Sequence, residues 1–120
     1  MATNHVQPGA VIEYTASGSS FSSGDVVVIG CLVGVALVDI ADGATGAVQI
    51  GEVFTLAKTA GTAWTQGAVL DYDISESEFH TGLSAATGDI TKCGVAFAAA
   101  ASAATTGQVL LTPGTGSITA

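Results

Sequence analysis

No apolar run in this chain goes far before a glycine or an acid interrupts it. The longest one free of charge, residues 26–38, spans thirteen positions between Asp25 and Asp39 and is itself broken by Gly30 and Gly34. A membrane-crossing helix needs about 20 apolar residues, so a transmembrane helix is excluded on length. The other runs are four to eight residues long, rich in Val, Ile and Thr, and ended by Gly, Asp, Ser or Asn. That pattern belongs to short strands joined by tight turns. Strands are expected over residues 11–15, 26–29, 32–38, 47–50, 53–56, 68–73, 78–81, 93–98 and 108–112. Turn-forming stretches separate them: Ser17-Gly-Ser-Ser20, Ser22-Ser-Gly-Asp25, Ala41-Asp-Gly-Ala-Thr-Gly46 and Thr87-Gly-Asp89. Asp42-Gly43 is the strongest of these signals, because Gly accepts a positive φ and Asp tolerates one. The expected fold is all-β, a small antiparallel β-barrel or sandwich.

One segment opposes this reading. Residues 97–104, Phe-Ala-Ala-Ala-Ala-Ser-Ala-Ala, have the highest helix propensity in the chain and alone would form about two helical turns. An internal similarity argues otherwise. Gly34-Val-Ala-Leu-Val-Asp-Ile-Ala41 resembles Gly94-Val-Ala-Phe-Ala-Ala-Ala-Ala101, and Gly46-Ala-Val-Gln-Ile50 resembles Gly107-Gln-Val-Leu-Leu111. Ser23-Gly-Asp-Val-Val27 likewise matches Gln66-Gly-Ala-Val-Leu70. Two related strand–loop–strand modules are therefore expected, with the Ala tract as strand and loop. Residues 1–10 are expected to form an extended N-terminal arm and 11–120 a single β domain. Ala and Gly fill 37 positions, so sheets approach closely and the core is thin. Thin cores are marginal in small proteins, which points to obligate oligomerisation.

Charge narrows the partners. Ten acids stand against two lysines, Lys58 and Lys92, with no arginine, for a net charge of -8. Nucleic-acid binding needs clustered cations to release counterions, and two isolated lysines form no such cluster. Anionic membrane surfaces are disfavoured for the same reason. A hydrophobic fraction of 48% separates the chain from acidic disordered tails. The first nine residues have neither a basic nor an apolar region of the kind a secretory signal carries. Cys31 and Cys93 are accordingly expected to be buried thiols in a reducing compartment, although a disulfide remains open.

No catalytic constellation stands out. Neither lysine sits in a Gly-Lys-Ser/Thr frame, as a phosphate loop requires. The Ser cluster of residues 17–23 never reads Gly-x-Ser-x-Gly, and is expected to be a flexible turn. His5 and His80 have no recognisable nucleophile partner. The acidic stretch 71–78 is the best metal candidate, since alternate carboxylates can converge on calcium. An EF-hand loop starting at Asp71 would need Gly at 76 and Glu at 82, where the chain has Glu76 and Gly82. A strand ending near Asp73, a polar turn and a return strand through Phe79 is the simpler expectation. Trp64, Tyr14 and Tyr72 are too dispersed for a stacking platform. No cofactor and no metal are expected.

Several stretches nevertheless resemble one family. Met1-Ala-Thr-Asn-His-Val-Gln-Pro-Gly9 leading to Ile12-Glu-Tyr-Thr15, then Ser23-Gly-Asp-Val-Val-Val-Ile-Gly30, are similar to the small tailed-phage capsid decoration, or cement, proteins. So are Val33-Gly-Val-Ala-Leu-Val-Asp-Ile-Ala-Asp-Gly-Ala-Thr-Gly46, Val53-Phe-Thr-Leu-Ala-Lys58 and the Gly94-Val-Ala module. Some members carry a RecA-like recombinase label, which the missing phosphate loop and the charge contradict. Glu52 stands where members often have Gly, and Ala57 where Pro is common. The resemblance implies a non-enzymatic β-rich homotrimer on the outer surface of the phage head in the virion, assembled in the host cytoplasm. It would bridge neighbouring major capsid subunits. Ala2, Thr3, Asn4, His5, Val6 and Gln7 are the candidate capsid-binding arm, a frayed terminus being the plainer alternative. The competing class is an acidic β-rich binding module that recognises a sugar or a peptide.

Overall fold

A computed structural model describes residues 9–119 of the chain, and these form strands, turns and loops with no helix. The strands are β1 (Val11–Thr15), β2 (Val26–Ile29), β3 (Leu32–Ala36), β4 (Thr45–Gln49), β5 (Val53–Ala57), β6 (Val69–Asp73), β7 (Glu78–His80), β8 (Ile90–Ala96), β9 (Thr106–Leu111) and β10 (Ser117–Ile118). All nine expected strands form, with ends shifted by a few residues. The two-residue β10 has no sequence signal of its own. The candidate arm, residues 2–7, lies outside the described residues.

Two antiparallel sheets result. The first runs β1-β4-β3-β2, the second β5-β9-β8-β6-β7, with β10 paired to β8. The order β5-β9-β8-β6 repeats β1-β4-β3-β2, and the register repeats as well. Val35 opposite Gln49 and Ala36 opposite Val48 recur as Val95 opposite Leu110 and Ala96 opposite Val109. Val11 opposite Gln49 recurs as Val53 opposite Leu110, and Val26 opposite Val35 as Val69 opposite Val95. The loops repeat too: Phe21 and Ile40 exchange two backbone hydrogen bonds, as do Trp64 and Ala100. The internal similarity is thus a true structural duplication, to which the second module adds β7 and β10.

The duplication explains why the Ala tract is not a helix. The N–H of Phe97 donates to Gln108 O, continuing the β8–β9 ladder, and Ala100 is tied to Trp64. Small side chains at 96 and 100 let the chain lie against neighbouring strands. The long-range ladder overrides a propensity of a few tenths of a kcal/mol per residue. Glycine serves the same close packing at two equivalent positions. A Cβ on Gly46 would stand 2.5 Å from Ile40 Cγ1, and one on Gly107 would run into the Trp64 ring.

The packing is sandwich-like, and no closed barrel forms. Barrels whose interior just fits side chains need about eight strands. Here β1 and β2 remain edges of a four-stranded sheet. Two apolar clusters result. Ala16, Val27, Ala36, Ile40, Val48 and Ile50 bury one face of the first sheet. Its other face supplies Val33 and Val35, with Val26 and Val28 against them, to the main cluster around Leu70, Tyr72, Phe79, Ile90 and Val109. The first sheet is therefore a middle layer, covered across both faces of β2 and β3.

Candidate functional site

All six aspartates accept hydrogen bonds from loop backbone N–H groups. Asp25 takes Ser22 N at 2.9 Å, Asp39 takes Ser23 N at 2.8 Å and Asp42 takes Gly18 N at 2.8 Å. The Ser-rich segment expected to be a flexible turn is thus pinned by three carboxylates. In the second module Asp71 accepts Lys92 N at 2.8 Å and Leu83 N at 3.2 Å. Asp89, 3% exposed, accepts Ala86 N at 2.8 Å and Ile74 N at 3.1 Å. Asp73 accepts Ser75 Oγ at 2.7 Å and Ser75 N at 3.0 Å, and the Ser75 hydroxyl foremost holds its carboxyl below the usual range. A short carboxylate suits this work, since it reaches N–H groups two or three residues away and bonds them strongly.

The acidic stretch 71–78 is therefore the β6–β7 hairpin, as the simpler expectation had it. Among the described residues, no group of three or more His, Cys, Asp and Glu stands close enough to hold a metal ion. His80 Nε2 lies 3.6 Å from Asp73 Oδ2, beyond hydrogen-bond reach. A cleft of about 510 Å³ between the sheets is lined in part by Ser20, Phe21, Asp25, Leu56, Tyr72 and Ser77. Its one carboxylate, Asp25, is engaged by Ser22 N.

Of the two thiols expected to be buried, one is not. Cys31 is exposed, while Cys93 is buried; both are free thiols. Cys31 occupies the two-residue turn between Ile29 and Leu32, and turns face solvent. Burial, reinforced by the charge of Asp71, pushes the Cys93 thiol up to about 12. Lys58 is fully buried. Its Nζ donates to Thr59 O at 2.9 Å and Ala104 O at 3.4 Å, and lies 5.7 Å from the centre of the Trp64 ring. It takes the place of Ala16 in the first module, since Lys58 N bonds Thr105 O as Ala16 N bonds Ala44 O. The surface keeps the net charge of -8, because the buried Lys58 is matched by the buried Asp89. Trp64 and Tyr72 are core residues, 2% and 4% exposed, so two of the three rings weighed for stacking are not on the surface.

One surface stands apart, and neither charge nor motif signals it. Val69, Val95, Leu110 and Val53 lie side by side across β6, β8, β9 and β5 on the outer face of the second sheet. Val69 is 54% exposed, Val53 37% and Leu110 36%; Phe97, two residues beyond Val95, is 50% exposed. The next positions on that face are Gln108 and Thr55, both uncharged. A cavity of about 280 Å³ opens beside the row, lined by Val69, Lys92, Gly94, Val95, Thr112 and Thr115. The equivalent row of the first sheet is Val26, Val35, Gln49 and Val11. Its β2–β3 half is packed into the main core, and its other half carries Gln49, whose amide donates to Glu52 Oε2 at 2.6 Å. The internal repeat was the signal that could have found the row, because it aligns Leu110 with Gln49.

Compared with known families, the chain matches the phage cement protein family over residues 6–111. No curated protein and no solved structure matches it.

Proposed function

Because the chain belongs to the phage cement protein family, we infer that it is a structural protein on the outer surface of an assembled phage head, bridging neighbouring major capsid subunits and stabilising the shell. The match over residues 6–111 carries this reading. Charge supports it. With a net charge of -8, the protein repels packaged DNA, which suits a place outside the shell. A ligand that binds the assembled lattice and not its dissociated subunits stabilises the lattice by mass action. A homotrimer contacting several subunits gains avidity without any strong single contact. Localisation follows: assembly in the host cytoplasm, residence in the virion. No catalytic role is proposed, and the family is a structural one.

Residues Ala2, Thr3, Asn4, His5, Val6 and Gln7 are proposed as an arm that orders against the shell, in the manner of an added strand. Recognition of a sugar or peptide is the weaker reading, because the Trp64 and Tyr72 rings are in the core. Fractionating virions from a lysate tests the function. The chain should co-purify with heads in a fixed ratio to the major capsid protein; recovery only in the soluble fraction would refute the reading. Deleting residues 2–7 should weaken head binding and leave the oligomer intact.

A further inference from the structure

The two outer rows differ where solvent reaches them. In the first sheet the uncovered half of the row is Gln49 and Val11: Gln49 bonds Glu52, and Glu13 follows at the next outward position of β1. In the second sheet the equivalent positions are Leu110 and Thr55, and Val53 and Val69 are exposed beside them. At Leu110 the chain has an apolar side chain where its duplicate has the polar Gln49, and at Val69 it leaves open a valine whose counterpart, Val26, is packed against the main core. We propose that the outer face of the second sheet, formed by Val53, Val69, Val95, Phe97 and Leu110, is the surface that seats on the phage shell, against an uncharged apolar patch of a capsid subunit. This rests on the cement reading above and deepens it by naming the contact.

Area and charge choose the occupant. The exposed apolar side chains of the face amount to on the order of 300 Å², the size of the largest patch on an ordinary monomer. A stable dimer buries about 800 Å² per partner, so this face alone is too small to hold a second copy in solution. A repeating shell escapes that limit, since many small contacts add through avidity. The face carries no carboxylate at Val53, Thr55, Val69, Val95, Phe97, Gln108 or Leu110. Asp71, two residues further along β6, is engaged by the N–H groups of Leu83 and Lys92. Lys92, exposed at the rim of the adjoining cavity, suits a carboxylate at the edge of the partner's patch.

The test uses the full chain, heads assembled without it, and the variants Leu110→Gln and Val69→Asp, with Glu13→Gln as a control on the first sheet. Binding to heads is titrated, and the free proteins are examined by sedimentation and circular dichroism. Leu110→Gln guards against misfolding, since Gln is what the first sheet carries at that position. Both face variants should keep the native spectrum and oligomeric state and bind heads about tenfold more weakly or worse, whereas Glu13→Gln should bind as the wild type does. Wild-type affinity in a folded Leu110→Gln would overturn the proposal. So would a changed oligomeric state of the free variants, which would make the face a contact between copies. If the wild-type chain itself failed to bind heads, the cement reading would fall, and the proposal with it.

Discussion

Val35 and Val95 occupy the same place in their modules. Each follows a Gly and precedes an Ala, and each pairs with the equivalent neighbours on either side. Yet Val35 is 3% exposed, inside the main cluster, while Val95 lies in an open row beside Val69 at 54%. The local pattern fixes which way a side chain points relative to its sheet. It does not fix what lies opposite. The first module has its row half covered by the second, and among the described residues nothing covers the second module's own. Duplicating a strand pattern copies the register and leaves the surroundings to be filled by something else.

The comparison breaks most easily at the loop aromatics. Trp64 and Phe21 are equivalent, but Trp64 is 2% exposed and backs Lys58, while Phe21 is half-buried and meets Tyr14 edge-on at 6.2 Å. Trp64→Ala should cost about 3–5 kcal/mol and Phe21→Ala about 1–2, measured by denaturant unfolding. Equal costs would mean the two modules share stability evenly. Gly107→Ala should then cost about 1–3 kcal/mol, and more than Gly46→Ala. The added methyl meets a rigid indole in one case and an Ile40 side chain that can turn away in the other.

The seam between the modules gives a smaller effect. Glu52 has a φ of 70°, the left-handed region, and joins the first sheet's last strand to β5. Glu52→Val should cost about 1–2 kcal/mol, because a β-branched residue is strained there. Glu52→Gly should change stability by less than about 1 kcal/mol, as relieved strain offsets the lost bond to Gln49. A costly glycine would show that the Gln49 bond, and not the backbone, holds the seam. Thiol labelling sharpens the comparison without altering stability. Cys31 should react rapidly at pH 8 in the native protein. Cys93, buried and with its thiol pushed up to about 12, should react only on unfolding. Two fast thiols in the native state would contradict the burial of β8.

Much of the fold was legible because strands and turns are local events. Period-two runs ended by Gly or Asp placed nine strands, and the repeat outweighed the helix propensity of the Ala tract. What escaped depends on partners distant in sequence. Ser117 and Ile118 form β10 only by pairing with Thr91 and Ile90, and a pair of residues has no period to read. Lys58 reads as a surface residue, and only the arrival of Trp64 and Ala104 O buries it. The acidic excess looked like a surface property. In the fold each aspartate also has an internal task, holding a loop N–H, so a large share of the chain's acidity shapes its turns. The apolar row was written in Val53, Val69 and Leu110, but an exposed and a buried valine are spelled alike.

The most direct test of the cement role is to add purified full-length chain to phage heads assembled without it, and to follow both occupancy and the temperature at which the heads release their DNA. Saturation at a fixed ratio to the major capsid protein, with a raised release temperature, is the predicted result. Heads that take up none of the chain, or that bind it and release DNA at an unchanged temperature, would contradict it.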